Sequence, residues 1–93
     1  MAVSTAELIE AREATAELLD ALGLDAYLFE VEPGQAALWT VKVECPVDGG
    51  WETVTLSASR EALLGRDADP NLRRELAQQW RERLLECKSR PPR

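Results

Sequence analysis

The side chains best suited to chemistry in this 93-residue chain are two cysteines, Cys45 and Cys87. Both fall on faces that the local pattern predicts to point inward, and the pattern leaves their contact open. Two cysteines are too few for a disulfide scaffold, and a reducing compartment would hold them as thiols. Buried, reduced cysteines are therefore the first expectation. A thiol redox pair formed by Cys45 and Cys87 is the alternative.

Other catalytic arrangements fail on residue type, because the chain has no histidine. Histidine is the commonest general base, the usual partner of a nucleophilic Ser or Cys, and the commonest metal ligand. Cys45 closes a predicted strand and Cys87 lies near a predicted helix C-terminus, and neither position favours a thiolate. Gly49 and Gly50 lie between strands and lack the strand-to-helix context of a phosphate loop. We expect no enzyme activity, no cofactor and no bound metal.

Charged residues are unevenly distributed along the chain. Residues 1–59 carry 2 basic and 11 acidic side chains, net −9, whereas residues 60–93 carry 9 and 6, net +3. The first helix has an acidic stripe, which we interpret as a solvated face rather than as paired catalytic carboxylates or cation ligands. The last predicted helix has a basic stripe with a period of seven, which could help to orient a symmetric dimer against the acidic one. The acidic stripe is Glu10, Glu13, Glu17 and Asp20, and the basic stripe is Arg74, Arg81 and Lys88.

The elements that would position these groups begin with a well-marked helix. Ser4 is the predicted N-cap and Glu7 completes a capping box, so the helix should begin at Thr5. It should end near residue 22, before Gly23. The apolar face consists of Leu8, Ala11, Thr15, Leu18, Leu19 and Leu22.

Three segments with a period of two predict strands over residues 26–32, 37–45 and 51–58. Pro33-Gly34 and the segment PVDGG supply the turns between them. The residues predicted to face inward are Tyr27, Phe29, Val31, Trp39, Val41, Val43, Cys45, Glu52, Val54, Leu56 and Ala58. Trp51 falls on the opposite face, although a register shift of one residue would reverse this assignment.

Two further helices are predicted after the strands. A short one covers residues 59–64 and ends at Gly65, and the last one covers roughly 70–88, with Asp69 as N-cap and Pro70 as its first residue. The apolar stripe of the last helix is Leu72, Leu76, Ala77, Trp80, Leu84 and Cys87. Residues 89–93 are too polar and proline-rich to continue it. We expect one domain, 1–88, and a flexible tail, 89–93.

The predicted fold is an α+β two-layer sandwich in the order α-β-β-β-(short α)-α. Hairpin-length connections favour a three-stranded antiparallel meander, and the two long amphipathic helices need one apolar sheet face to cover. Both helices should therefore lie on the same side. The other face of the sheet is left open.

This order of elements resembles that of the double-stranded-RNA-binding domain over most of the chain. In that family RNA is bound by a basic cluster at the start of the last helix and by a histidine-bearing loop between the first two strands. The corresponding positions here read ADPNLRRELA and EPGQA, with two adjacent arginines and no histidine. The resemblance therefore implies the fold alone, and a net charge of −6 also argues against direct nucleic-acid binding.

The leading functional hypothesis is a non-catalytic interaction or regulatory module that binds another protein, or a second copy of itself, through the open sheet face or a sheet edge. Exposed apolar clusters on such faces commonly mark interfaces. The candidate binding residues are Trp51, Leu28, Leu38 and Thr53. One alternative is an acidic mimic of nucleic acid that occupies the basic groove of a DNA- or RNA-handling protein, and the other is the thiol redox pair.

The N-terminus has neither the basic segment, nor the apolar segment, nor the cleavage site of a secretory signal. No window approaches the roughly 18 uninterrupted apolar residues of a membrane span. We therefore expect a soluble cytoplasmic protein without a membrane partner.

Overall fold

The computed structural model describes residues 4–35, 38–64 and 70–89 of the chain. Their order is helix, three strands and two helices, which confirms the predicted α+β class and the order of elements. The elements are α1 (Thr5–Ala21), β1 (Leu28–Pro33), β2 (Leu38–Val47), β3 (Gly50–Ser59), α2 (Arg60–Leu64) and α3 (Pro70–Arg83).

The three strands form an antiparallel sheet in the order β1-β2-β3. Val47 pairs with Gly50, so the β2–β3 hairpin closes through the two residues Asp48 and Gly49. Gly49 has φ +96°, a backbone conformation that a residue with a Cβ atom rarely adopts. Glycine at this position therefore fixes a two-residue turn and, with it, the register of the two long strands.

Helix α1 begins and ends as its sequence predicts. The Glu7 N–H donates to Ser4 Oγ at 3.1 Å, which is half of the expected capping box. Gly23 follows the C-terminal cap with φ 74°, and Leu24 after it is buried. This apolar residue behind the glycine holds the end of the helix against the core.

The core lies between the helices and one face of the sheet. Both long helices pack on that face, α1 against β1 and α3 against β3, as predicted. The buried side chains of the three strands are Val31, Trp39, Val41, Val43, Cys45, Leu56 and Ala58. The buried residues of the helices are Ala11, Ala14, Thr15, Leu18, Leu19, Ala62, Leu63, Leu76 and Trp80. Thr15 is satisfied because its Oγ1 donates to Ala11 O at 2.8 Å.

Arginines from the second half of the chain connect the three helices. Arg60 lies 2.6 Å from Glu7 of α1, measured from Nη2 to Oε1. Arg73 Nε donates to Ala62 O of α2 at 3.1 Å, and its Nη1 lies 3.7 Å from Glu17 Oε2. Part of the negative N-terminal half and part of the positive C-terminal half therefore meet inside one molecule.

The last helix is shorter than its apolar spacing predicts. It ends at Arg83 instead of near residue 88, and residues 84–86 form a turn. Beyond the turn the Lys88 N–H donates to Pro46 O at 2.9 Å, and the Asp25 N–H donates to Lys88 O at 2.9 Å. Lys88 is therefore not on the helical stripe of Arg74 and Arg81, and that part of the prediction is wrong.

The remaining predictions for the C-terminal half concern residues at the ends of the described segments or outside them. Ser89, predicted as the first residue of the tail, forms an isolated bridge with Leu24. The predicted stop at Gly65, the predicted cap at Asp69 and residues 90–93 lie outside the described residues.

Candidate functional site

The candidate site is the outer face of the sheet, which the helices leave uncovered. Its side chains form rows across the strands, because directly paired residues of antiparallel strands point to the same side. The rows are Leu28-Glu44-Thr53, Glu30-Lys42-Thr55, Glu32-Thr40-Ser57, Pro46-Trp51 and Leu38-Ser59. The face combines three glutamates and one lysine with hydroxyl groups and a few large apolar side chains.

Two of these apolar side chains lie at the end of the sheet nearest the β2–β3 turn. Leu28 is 62% exposed and Trp51 is 59% exposed. Glu44 and Pro46 of β2 lie between Leu28 and Trp51. From the strand spacing and the rise per residue of a pleated sheet, the Cα atoms of Leu28 and Trp51 are roughly 12 Å apart. We call Leu28, Pro46 and Trp51 the hairpin-end patch. Apolar side chains exposed together at one end of a sheet face are a feature that protein interfaces often have.

Thr53 and Leu38, the other two candidate binding residues, lie in different surroundings. Thr53 borders the hairpin-end patch, and its hydroxyl group donates to Glu44 Oε1 at 3.5 Å. Leu38 is exposed too, but it begins β2, eight residues from Pro46, which is about 26 Å along an extended strand. Leu38 instead borders a depression beside Ala62 and Leu76. The structure brings Leu28, Trp51 and Thr53 together and leaves Leu38 outside.

The outer edge of β3, unlike that of β1, is covered by side chains of α3. Trp80 Nε1 donates to Ser57 O at 3.2 Å, and Arg83 Nη2 donates to Thr55 O at 3.1 Å. Both acceptors are backbone carbonyls that turn away from β2. Because these two carbonyl groups already accept hydrogen bonds, they are not free to pair with another strand at the edge of β3.

The two cysteines are joined in a disulfide, and in the structure the expectation of reduced thiols is wrong. Their Cα atoms are 5.5 Å apart across 42 residues of sequence. Burial of both residues is confirmed, since Cys45 is 0% and Cys87 is 6% exposed. The bond fastens the end of β2 to the segment that follows α3. Strand alternation for Cys45 and helical spacing for Cys87 predicted that both side chains face the core, but nothing local in the sequence shows that they meet.

The charged stripes do not form isolated rows. Glu17 of the acidic stripe lies 3.7 Å from Arg73, between Nη1 and Oε2, so one of its members faces the start of α3. Arg74 and Arg81 are exposed on α3, and neither has an ion pair among the described residues. Lys88 Nζ lies 4.0 Å from Asp48 Oδ1 at the hairpin turn.

In residues 4–35, 38–64 and 70–89, no three His, Cys, Asp or Glu side chains are grouped so that they could hold a metal ion. Within the same segments no helix has the length and the apolar character needed to cross a membrane.

Comparison of the chain with protein-family models, curated proteins and solved structures finds no match.

Proposed function

We propose that this protein is a non-catalytic module that binds another polypeptide through the outer face of its sheet, with the hairpin-end patch as the anchor. The observation that carries the proposal is the joint exposure of Leu28 and Trp51 on the side of the sheet that α1, α2 and α3 leave uncovered. Tryptophan is enriched among the residues that dominate binding free energies, because one side chain buries a large area at low entropic cost. Thr53 and Glu44 supply hydrogen-bonding groups at the rim of the patch.

The test compares a patch variant with a variant of an exposed leucine elsewhere. Leu28→Ser combined with Trp51→Ser removes the patch, and Leu85→Ser removes a leucine that is 74% exposed in the turn after α3. Each protein is used in light scattering over a range of concentrations and in affinity capture from an extract of the native host. We expect self-association or a specific captured protein that the patch variant loses and the Leu85→Ser variant keeps. A protein that stays monomeric and captures the same set in all three forms would overturn the proposal.

The acidic-mimic alternative stays a prediction about Glu10, Glu13, Glu17 and Asp20. It requires a partner with a basic groove and a binding constant that falls steeply with salt, because exposed charges are screened within about 10 Å at 0.1 M ionic strength. Charge reversal at these four positions should abolish binding under this alternative. Under the patch hypothesis the same reversal leaves binding nearly unchanged.

The thiol redox alternative has one observation in its favour, the bond between Cys45 and Cys87. Thiol–disulfide exchange needs an attacking thiolate to reach a sulfur atom, however, and both residues are buried. We therefore propose a structural role for this disulfide. Rapid exchange of the folded protein with glutathione, at a rate similar to that of an exposed disulfide, would favour the redox alternative instead.

We keep a cytoplasmic location as a separate proposal, which the Cys45–Cys87 disulfide weighs against and which the redox state of the cysteines in the native host tests. Disulfides persist in oxidising compartments and are rare in the reducing cytosol. Alkylation of thiols during lysis of the native host, followed by mass spectrometry, measures the fraction of bonded Cys45. Fully alkylated cysteines agree with a cytoplasmic protein, whereas a fully bonded pair indicates an oxidising compartment.

A further inference from the structure

The free edge of β1 differs from the covered edge of β3. Gly34 N–H donates to Leu38 O at 2.7 Å, which fixes the alternation of hydrogen-bonded pairs along the β1–β2 hairpin. By this alternation Leu28, Glu30 and Glu32 bond to β2. The backbone N–H and C=O groups of Phe29 and Val31 therefore point away from the sheet.

Among the described residues no side chain hydrogen-bonds to the backbone of β1, in contrast with the indole and guanidinium groups that cap β3. A groove runs along this edge between β1 and α1. Its walls are Leu8 and Arg12 of α1 together with Phe29, Glu30, Val31 and Glu32 of β1. Up to four backbone hydrogen bonds, and a groove lined by both charged and apolar residues, are thus open to an extended chain, as in other cases of strand addition.

The charged residues beside the edge of β1 restrict which peptide can add to it as a further strand. Glu30 and Glu32 project from the outer face, and neither has an ion pair or hydrogen-bonded side-chain partner among the described residues. Arg12 borders the groove on the helix side. Basic side chains are therefore favoured on the outer side of an added strand and disfavoured on the groove side.

A second copy of this chain is a poor occupant of the edge. Pairing of β1 with β1 of another molecule would place two glutamates from each strand on one shared face, and like charges in paired strands are destabilising. The same carboxylates that oppose self-pairing attract a strand of opposite charge.

We propose that the free edge of β1 accepts an extended peptide segment with alternating basic and apolar residues, which adds as a fourth strand. Its basic side chains lie over Glu30 and Glu32, and its apolar side chains enter the groove beside Leu8 and Phe29. The inference rests on the proposed docking function, since Leu28 of the hairpin-end patch belongs to β1 and would flank the added strand.

The probe is a synthetic ten-residue peptide of alternating Lys and Val, titrated into the intact protein and followed by amide chemical shifts and hydrogen exchange. We expect saturable binding with shifts and slowed exchange at the Phe29 and Val31 amides. The same peptide with alternate amides N-methylated keeps its charge but loses the donors of one edge, and it should not bind. A peptide of alternating Glu and Val should not bind either.

Charge reversal supplies the matched protein control. Glu30→Lys with Glu32→Lys should weaken binding at least about tenfold, because two opposite-charge cross-strand pairs become like-charge pairs. Glu61→Lys with Glu86→Lys gives the same change in net charge away from β1 and should leave binding within about twofold of the wild type.

Absence of binding, equal binding of the N-methylated peptide, or equal weakening by both charge reversals would overturn the proposed strand addition. None of these results touches the proposed function itself. That proposal depends on the patch variant Leu28→Ser with Trp51→Ser and its Leu85→Ser control.

Discussion

The three tryptophans of the chain have separate roles that their exposure distinguishes. Trp39 is 2% and Trp80 is 1% exposed, whereas Trp51 is 59% exposed. Trp80 also donates a hydrogen bond to Ser57 O, so its indole serves both the core and the edge of β3. Only Trp51 is available to a partner.

This difference predicts opposite effects of truncation. Trp39→Ala should lower the free energy of unfolding by about 3–5 kcal/mol, because it leaves a large cavity between the sheet and the helices. Trp51→Ala should change the same quantity by less than about 0.5 kcal/mol, as is usual for an exposed site. Urea unfolding followed by circular dichroism measures both. Equal destabilisation by the two variants would mean that the indole of Trp51 is part of the core.

The disulfide contributes to stability through the chain that it closes. Its loop spans 42 residues, for which loss of conformational entropy in the unfolded state predicts a stabilisation of about 4 kcal/mol. Cys45→Ala with Cys87→Ala should lower the free energy of unfolding by about this amount. For a small domain, whose total stability is about 5–15 kcal/mol, the loss is large. If the double variant unfolded at the same urea concentration as the oxidised wild type, the bond would have no structural role.

At the scale of elements, the register of β1 on β2 is the feature on which the outer face and its free edge depend. The register predicts alternating protection of backbone amides in the free protein. The N–H groups of Glu30 and Glu32 should exchange slowly, and those of Phe29 and Val31 should exchange much faster. Residue-resolved hydrogen exchange by nuclear magnetic resonance provides the measurement. The reverse pattern would place Glu30 and Glu32 at the free edge and exclude the proposed strand addition.

The inward and outward faces of the strands were predictable, because apolar and polar residues alternate along a strand that is buried on one side only. Trp39, Val41, Val43 and Cys45 occupy the inward positions that their spacing predicts. The start of α1 was predictable for a similar reason, since Ser4 and Glu7 act within one turn.

The end of α3 was not predictable, because a distant contact determines it. Apolar spacing continues through Leu84 to Cys87, and local periodicity therefore extends the helix to residue 88. The chain leaves the helix after Arg83, and Cys87 bonds to Cys45 while Lys88 pairs with Pro46. The candidate patch was only partly predictable from the sequence. Alternation places Leu28 and Leu38 on one face of the sheet, but it does not show that they lie at opposite ends of that face.

At the scale of the whole molecule, the uneven charge of the two halves is partly balanced inside the fold. Arg60 meets Glu7, and Arg73 meets Glu17. Exposed pairs of this kind contribute little to stability, but they reduce the charge that could drive association between molecules. The surface that we propose for a partner is the outer face of the sheet, with its apolar end at Leu28 and Trp51.

The most direct test of this account places a photoreactive benzoylphenylalanine at position 51 of the protein in its native host. The same residue at position 85 serves as the control, because Leu85 is exposed without belonging to the outer face. On irradiation the account predicts a discrete crosslinked product, with another protein or with a second copy, from position 51 and none from position 85. No product from position 51, or the same products from both positions, would contradict the claim that this face is a docking surface.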